Sequence, residues 1–190
     1  TITTTRLVRR LNESLDDRTL VIADVGDALF ASSELVIRGQ TEFISPAYYT
    51  SMGFAVPAAL GATLARPELR VVAIVGDGAF QMTGMELSTL VRRGLAVTVI
   101  VLDNGGYGTE RVILEGSYND INRWEYQLLP LVLGGGTGYE VRTEGEFDEA
   151  LTKALADTSG ISLIRVHIGM NDRSITLQRI GQGLARRLKR

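Results

Sequence analysis

Apolar residues come along this chain in short, nearly unbroken runs separated by longer segments of helical spacing. Thr19–Ala23 (TLVIA), Arg70–Val75 (RVVAIV), Ala96–Leu102 (AVTVIVL) and Ser162–His167 (SLIRVH) are rich in valine, isoleucine and leucine and lack a regular polar alternation. Such runs predict strands buried on both faces, as in a parallel sheet covered by helices. Phe43-Ile44 and Tyr139–Val141 predict two shorter strands. Leu7, Leu11 and Leu15 recur four apart and predict an amphipathic helix over Arg6–Leu15 behind a threonine cap. A small-residue segment predicts a helix over Ser51–Ala65 stopped by Pro67, and Met82–Arg93 predicts another ending at Gly94. Glu146–Ala156 and a terminal segment predict the last two helices, after an irregular, partly helical stretch to Leu133 and a glycine loop at Gly134–Gly138. Strands alternating with helices predict an α/β fold, a three-layer sandwich with a mostly parallel central sheet.

Composition narrows the chemistry. The 190 residues carry no internal repeat and fit one domain spanning 1–190, long enough to bury about 70% of the unfolded surface. Twenty basic against 22 acidic side chains give a formal charge of −2, which offers no electrostatic case for nucleic acid or an anionic membrane. The chain has no cysteine and one histidine, His167, so thiolate metal sites, cysteine nucleophiles, multi-histidine metal sites and Ser-His-Asp arrays lack material. The charge-free stretch Phe43–Ala65 contains Pro46, Pro57, two tyrosines and several hydroxyl residues, so it reads as a loop entering a buried helix, not a membrane span. The first residues hold no apolar h-region, so no signal peptide is expected and a cytoplasmic location is. The start at Thr1, almost directly into a helical pattern, suggests a piece excised or processed from something longer.

What remains is hard-oxygen metal, carboxylate and cofactor chemistry, and the glycines point to where. In parallel sheets ligands sit beyond the carboxyl ends of the strands. Three predicted strands end there in polar, glycine-bearing turns: Asp24-Val25-Gly26-Asp27, Gly76-Asp77-Gly78 and Asp103-Asn104-Gly105-Gly106. Asp77 and Asn104 stand 27 residues apart with one helix between, and a right-handed strand–helix–strand unit sets their turns side by side. Both offer oxygen ligands of the kind Mg²⁺ takes together with phosphate and water. Gly76 and Gly78 let a ligand approach the backbone, and the amides that follow, Ala79 included, favour a phosphate. A Rossmann-type nucleotide module is the competing reading, with Gly76-x-Gly78 as phosphate turn and Asp103 reading a ribose. Gln81 at the third glycine position argues against it.

The Gly76-Asp77-Gly78 turn followed by Asn104 resembles the thiamine-diphosphate-binding motif. The match extends to SMGFAVPAALGA (Ser51–Ala62), GDGAFQMTGMELSTLVRRGL (Gly76–Leu95), NGGYGTE (Asn104–Glu110) and YNDINRW (Tyr118–Trp124). These segments resemble the pyruvate, indolepyruvate and phenylpyruvate decarboxylase branch, over nearly the whole chain, in its C-terminal diphosphate-binding domain. The resemblance implies a thiamine-diphosphate-binding fold, with Asp77, Asn104 and the Gly106 carbonyl holding Mg²⁺ on the cofactor diphosphate. It implies proton transfer by Glu110, six residues after Asn104. It makes Met52 the wedge that bends the cofactor and the Thr50 carbonyl the acceptor for its exocyclic amine. Thr109 would face the substrate, and Tyr107 would line the site or be buried beside it. The substrate implied is a small 2-oxo acid, decarboxylated to an aldehyde; a carboligase that passes the same carbanion to a second carbonyl is the alternative. A non-catalytic assembly domain that kept the fold is another, against which the joint presence of Asp77, Asn104 and Glu110 argues.

The pattern departs from the family at three positions. Relatives usually carry Asn where Asp103 stands and a polar residue where Gly105 stands, and neither change removes an implied ligand. Asp27 occupies a turn where a small hydroxyl residue is common. A carboxylate beside a diphosphate repels it, so Asp27 is not expected to touch the cofactor. The family's catalytic histidines lie in its N-terminal domain, so His167 inherits no role and reads as a satisfied histidine at the edge of the core. Arg186, Arg187, Lys189 and Arg190 suit the dipole at the end of the last helix. The activating glutamate of the family also comes from a separate N-terminal, pyrimidine-binding domain, usually of a neighbouring subunit. A homo-oligomer is therefore expected, as is an isolated chain without decarboxylase activity.

Overall fold

The structure, a computed structural model, describes residues 2–39 and 42–188. Six strands form one sheet in which every pairing is parallel. They are β1 (Thr19–Ala23), β2 (Glu42–Ile44), β3 (Arg70–Gly76), β4 (Val97–Asp103), β5 (Thr137–Val141) and β6 (Ser162–His167), in the spatial order β2-β1-β3-β4-β6-β5. Helices α1 (Thr4–Ser14), α2 (Asp27–Ser32), α3 (Ala55–Ala65), α4 (Asp77–Thr83), α5 (Leu87–Arg93), α6 (Gly108–Ile113), α7 (Leu129–Val132), α8 (Glu144–Ala156) and α9 (Ile175–Leu188) connect and cover it. The side chains of Arg186 and Arg187, and all of Lys189 and Arg190, lie outside the described residues.

Successive side chains of a strand point to opposite faces, and the two faces bury separate cores. Leu20, Ile22, Val71, Ala73, Val75, Val99 and Val101 pack with α3, α4, α5 and Tyr126. Val21, Val72, Ile74, Ile100, Leu102 and Ile164 pack with α1 and α8, where Leu7, Leu11 and Leu15 form the stripe their spacing predicts. This is the three-layer α/β arrangement expected from the two-sided apolar runs. The outer strand β2 has two of its three residues exposed.

Several boundaries differ from the sequence reading, each for a local reason. α8 starts at Glu144, because Thr143 and Glu146 form a reciprocal capping box. The helix expected from Ser51 begins at Ala55, since the preceding residues are held as a turn by Asp24. The helix expected over Met82–Arg93 instead starts directly after β3 and breaks into α4, a 3₁₀ turn at Gly84–Glu86 and α5. Thr83 leaves helical geometry at φ −139°, its hydroxyl donating to the Gly53 carbonyl at 2.7 Å.

Candidate cofactor site at the strand ends

Because all strands run in one direction, the turns that follow them gather at one end of the sheet. There they surround a cleft of about 550 Å³. Every residue the sequence assigns to the site lines it: Thr50, Met52, Gly76, Asp77, Gly78, Ala79, Asn104, Gly106, Tyr107, Thr109 and Glu110. His167 is not among them; its Nε2 lies 2.8 Å from Glu140 Oε1, the satisfied edge position expected of it.

Asp77 joins two turns with one side chain. It is 1% exposed; Oδ1 accepts from the Gly78 amide at 2.7 Å, and Oδ2 from the Gly105 and Gly106 amides at 2.7 and 3.1 Å. The end of β3 is thereby tied to the end of β4. Burial raises the proton affinity of this carboxyl to a pKa of about 6, against the pull of those amides and with help from the Asp103 charge. Asn104 Oδ1 accepts from the Gly106 amide at 3.2 Å. Among the described residues no cluster of three or more His, Asp or Glu could hold a metal. The oxygens that these turns could offer an ion are one carboxylate, one amide oxygen and one carbonyl. A set with so little charge suits Mg²⁺ when phosphate and water complete its octahedron.

Two glycines are required by close approach. A Cβ on Gly106, at φ +153°, would lie 2.0 Å from the Asn119 carbonyl oxygen, because residues 106 and 120 pair as an antiparallel bridge. A Cβ on Gly78 would lie 2.5 Å from the Tyr107 ring, which is half-buried, lies over the start of α4 and lines the cleft. Thr109 faces the β1 turn, its hydroxyl 3.2 Å from the place of a Cβ on Gly26. Glu110 is exposed in the first turn of α6.

The loop carrying Thr50 and Met52 is pinned from below by a residue to which the sequence reading gave no role. Asp24 is fully buried at the end of β1; Oδ1 accepts from the Gly53 amide at 3.2 Å and Oδ2 from the Ala55 amide at 2.7 Å. Burial raises its pKa, partly opposed by these amides. An acidic residue closing an apolar strand was the signal available for it. Thr50 has φ +52°, the left-handed region, alone among the described non-glycine residues. Met52 is 43% exposed.

Asp27 lines the cleft, yet its carboxylate is engaged elsewhere. It accepts from the amide of Ser174, at 3.0 Å from Oδ2, and from the Ser174 hydroxyl, at the entrance to α9. Close by, the Thr4 amide and hydroxyl donate to Asp172, so α1 is fastened to the same segment. No helix among the described residues is long and apolar enough to cross a membrane.

Comparison with known proteins identifies the family. Residues 24–166 match the family model described as thiamine pyrophosphate enzyme, C-terminal TPP binding domain. The chain is 38% identical to an indole-3-pyruvate decarboxylase of Azospirillum brasilense over 88% of its own length and 30% of the relative's. It is 36% identical to an alpha-keto-acid decarboxylase of Mycolicibacterium paratuberculosis, over 83% of this chain and 29% of that protein. Against a pyruvate decarboxylase of Neurospora crassa the identity is 33%, over 86% and 30% respectively. The chain thus spans about 30% of the length of the curated relatives it matches. Matched from the end of β1 into β6, it belongs to the thiamine pyrophosphate enzymes, as their C-terminal cofactor-binding domain.

Proposed function

We propose that this chain holds the diphosphate of thiamine diphosphate, through Mg²⁺, in an enzyme that decarboxylates a small 2-oxo acid to an aldehyde. The observation that carries the reading is the Asp77 carboxylate, which spans the β3 and β4 turns beside Asn104. Asp77, Asn104 and the Gly106 carbonyl are the protein ligands of the ion. The backbone of Gly76, Gly78 and Ala79 takes the diphosphate, with Tyr107 as a wall. The Thr50 carbonyl accepts from the cofactor's amine, and Met52 props its two rings into a bent form. When bound, the cofactor supplies a carbon nucleophile and an electron sink for departure of the carboxylate. Glu110 holds and delivers the proton at the reacting carbon, with Thr109 beside it facing the substrate.

The decarboxylase names of the relatives support this reaction class. Tyr48 and Tyr49, 90% and 80% exposed just before Thr50, support cover by further protein at the cleft. In this reading that cover is an N-terminal pyrimidine-binding domain of the same or a neighbouring subunit, within a homo-oligomer. The test is Asp77→Ala in the full-length enzyme, followed by titration with thiamine diphosphate in the presence and absence of Mg²⁺. The variant should stay folded and lose Mg²⁺-dependent cofactor binding. Retained affinity would refute the assignment.

A further inference from the structure

One buried charge beside the cleft has no part in the reading above. Arg111 follows Glu110 in α6, and its side chain is 2% exposed although its partners Glu115 and Asp120 are 60% and 55% exposed. One terminal nitrogen donates to Glu115 and the other to Asp120. The second also lies against the metal turn, 3.1 Å from the place of a Cβ on Gly106. The backbone closes around this guanidinium. The Tyr107 amide donates to the Asn119 carbonyl at 2.9 Å, the Ile121 amide to the Gly105 carbonyl at 3.4 Å, and Asn119 Nδ2 to the Leu114 carbonyl at 2.9 Å. The segment from Asn104 to Ile121 is therefore a loop folded back on its own start, with Arg111 at its centre.

A helix of six residues has too few internal hydrogen bonds to hold its own direction. Removing a guanidinium from water is costly unless it is paired and hydrogen-bonded. Here one pair reaches from α6 to Asp120 on the returning segment of the loop and the other to Glu115, two residues past the helix end, so the paired charge fixes the helix direction. We infer that Arg111 is a positioning residue, which through its clasp on Asp120 and Glu115 sets the placement of the Glu110 carboxylate over the cleft. The inference rests on the reading of Glu110 as the proton-transfer group. It adds that Arg111 acts on turnover only through Glu110, and touches neither substrate nor cofactor.

The test is a double-mutant cycle in the full-length enzyme, assayed with whichever of pyruvate, phenylpyruvate and indole-3-pyruvate it turns over fastest. Arg111→Met should lower kcat about 10–100-fold, the scale of a misplaced catalytic group, with KM nearly unchanged. In a Glu110→Gln background the same substitution should cost almost nothing more. An equal loss in both backgrounds would overturn the inference, as would a folded Arg111→Met enzyme with normal kcat. Normal turnover of Glu110→Gln alone would mark the failure of the Glu110 reading, and any loss in Arg111→Met would then arise some other way. Should Arg111→Met not fold, Asp120→Asn opens one arm of the clasp from the solvent side and takes its place in the cycle. A readout independent of activity accompanies it. The Leu114 amide, which donates to the Glu110 carbonyl at 2.9 Å, should exchange with solvent about 10-fold faster in Asp120→Asn, since the clasp holds that turn. Unchanged protection would overturn the clasp whatever the kinetics.

Discussion

Arg165 Nε donates to Asp103 Oδ2 at 2.8 Å across the β4–β6 pairing, with the two side chains 4% and 0% exposed. Arg165 also reaches Glu125 at 2.7 Å and Gln127 at 3.1 Å and lies over the Tyr126 ring, its centre 5.6 Å away. The other oxygen of Asp103 is buried with no hydrogen-bond partner among the described residues. This carboxylate stands one residue before Asn104, and besides Arg165 it has the His167 Nδ1 at 3.6 Å from the same oxygen. Arg165→Leu should therefore destabilise the protein by about 3–5 kcal/mol, the cost of stranding one member of a buried pair. Asp103→Asn combined with Arg165→Leu should recover most of that loss. Chemical denaturation of the three proteins measures it, and a double variant as unstable as Arg165→Leu would count against the pair.

Asp27 carries a pH signature. Burial raises its pKa above the ordinary 3.8, the Asp172 and Glu34 charges add to the rise, and the hydrogen bonds from Ser174 oppose it. The folded state thus holds this proton more tightly than the unfolded state. Stability from this group is present below pH 3.8 and is lost as pH rises through the folded value. Asp27→Asn removes the dependence, so the variant should gain on the wild type as pH rises toward neutrality. Unfolding free energies measured across that range test it; a difference independent of pH would be the contrary result.

Thr50 is a β-branched residue in a left-handed backbone conformation, which costs about 1–2 kcal/mol. Glycine adopts that conformation freely, at an entropic cost of about 0.5–1 kcal/mol. Thr50→Gly should accordingly leave stability unchanged or raise it by up to about 1 kcal/mol. It should also keep cofactor binding, because the proposed contact is the carbonyl. Thermal unfolding and a cofactor titration together check this, and a clear loss of either would show that the threonine side chain is needed.

Glu110→Gln should bind thiamine diphosphate normally and lose turnover by about 10²–10⁴-fold, the range of a general acid–base contribution. Steady-state kinetics at saturating cofactor decide the point. Near-normal turnover would return Glu110 to the role of an exposed helix residue.

The parts of this molecule that could be read in the sequence are those whose signal is local. Buried parallel strands announce themselves by continuous apolar runs, and β6 falls on the residues that its run predicts. The cleft was legible because Gly76-Asp77-Gly78 and Asn104 end adjacent strands, so topology alone brings them together. What escaped was contact between distant positions. Arg165 meets Asp103 from 62 residues away, and Ser174 meets Asp27 from 147. The same holds for Asp24, whose partners Gly53 and Ala55 lie beyond β2. The break at Thr83 was hidden because residues 82–93 hold enough apolar residues at helical spacing to suggest one helix, while the Gly53 carbonyl that captures the Thr83 hydroxyl lies outside that window.

The bonds from Thr4 to Asp172 and from Ser174 to Asp27 have a consequence for how the domain comes apart. Both lie on the wall of the cleft, and between them they sew α1 and α9 to one seam. Fraying at either helix must therefore open the chamber, and whatever fills the chamber resists the fraying. Ligand occupancy adds to that resistance as the logarithm of its concentration over its dissociation constant. Sites of protease attack near Thr4 and Ser174, far apart in sequence, would then close together as the chamber fills, making the two helices a single gauge of its contents.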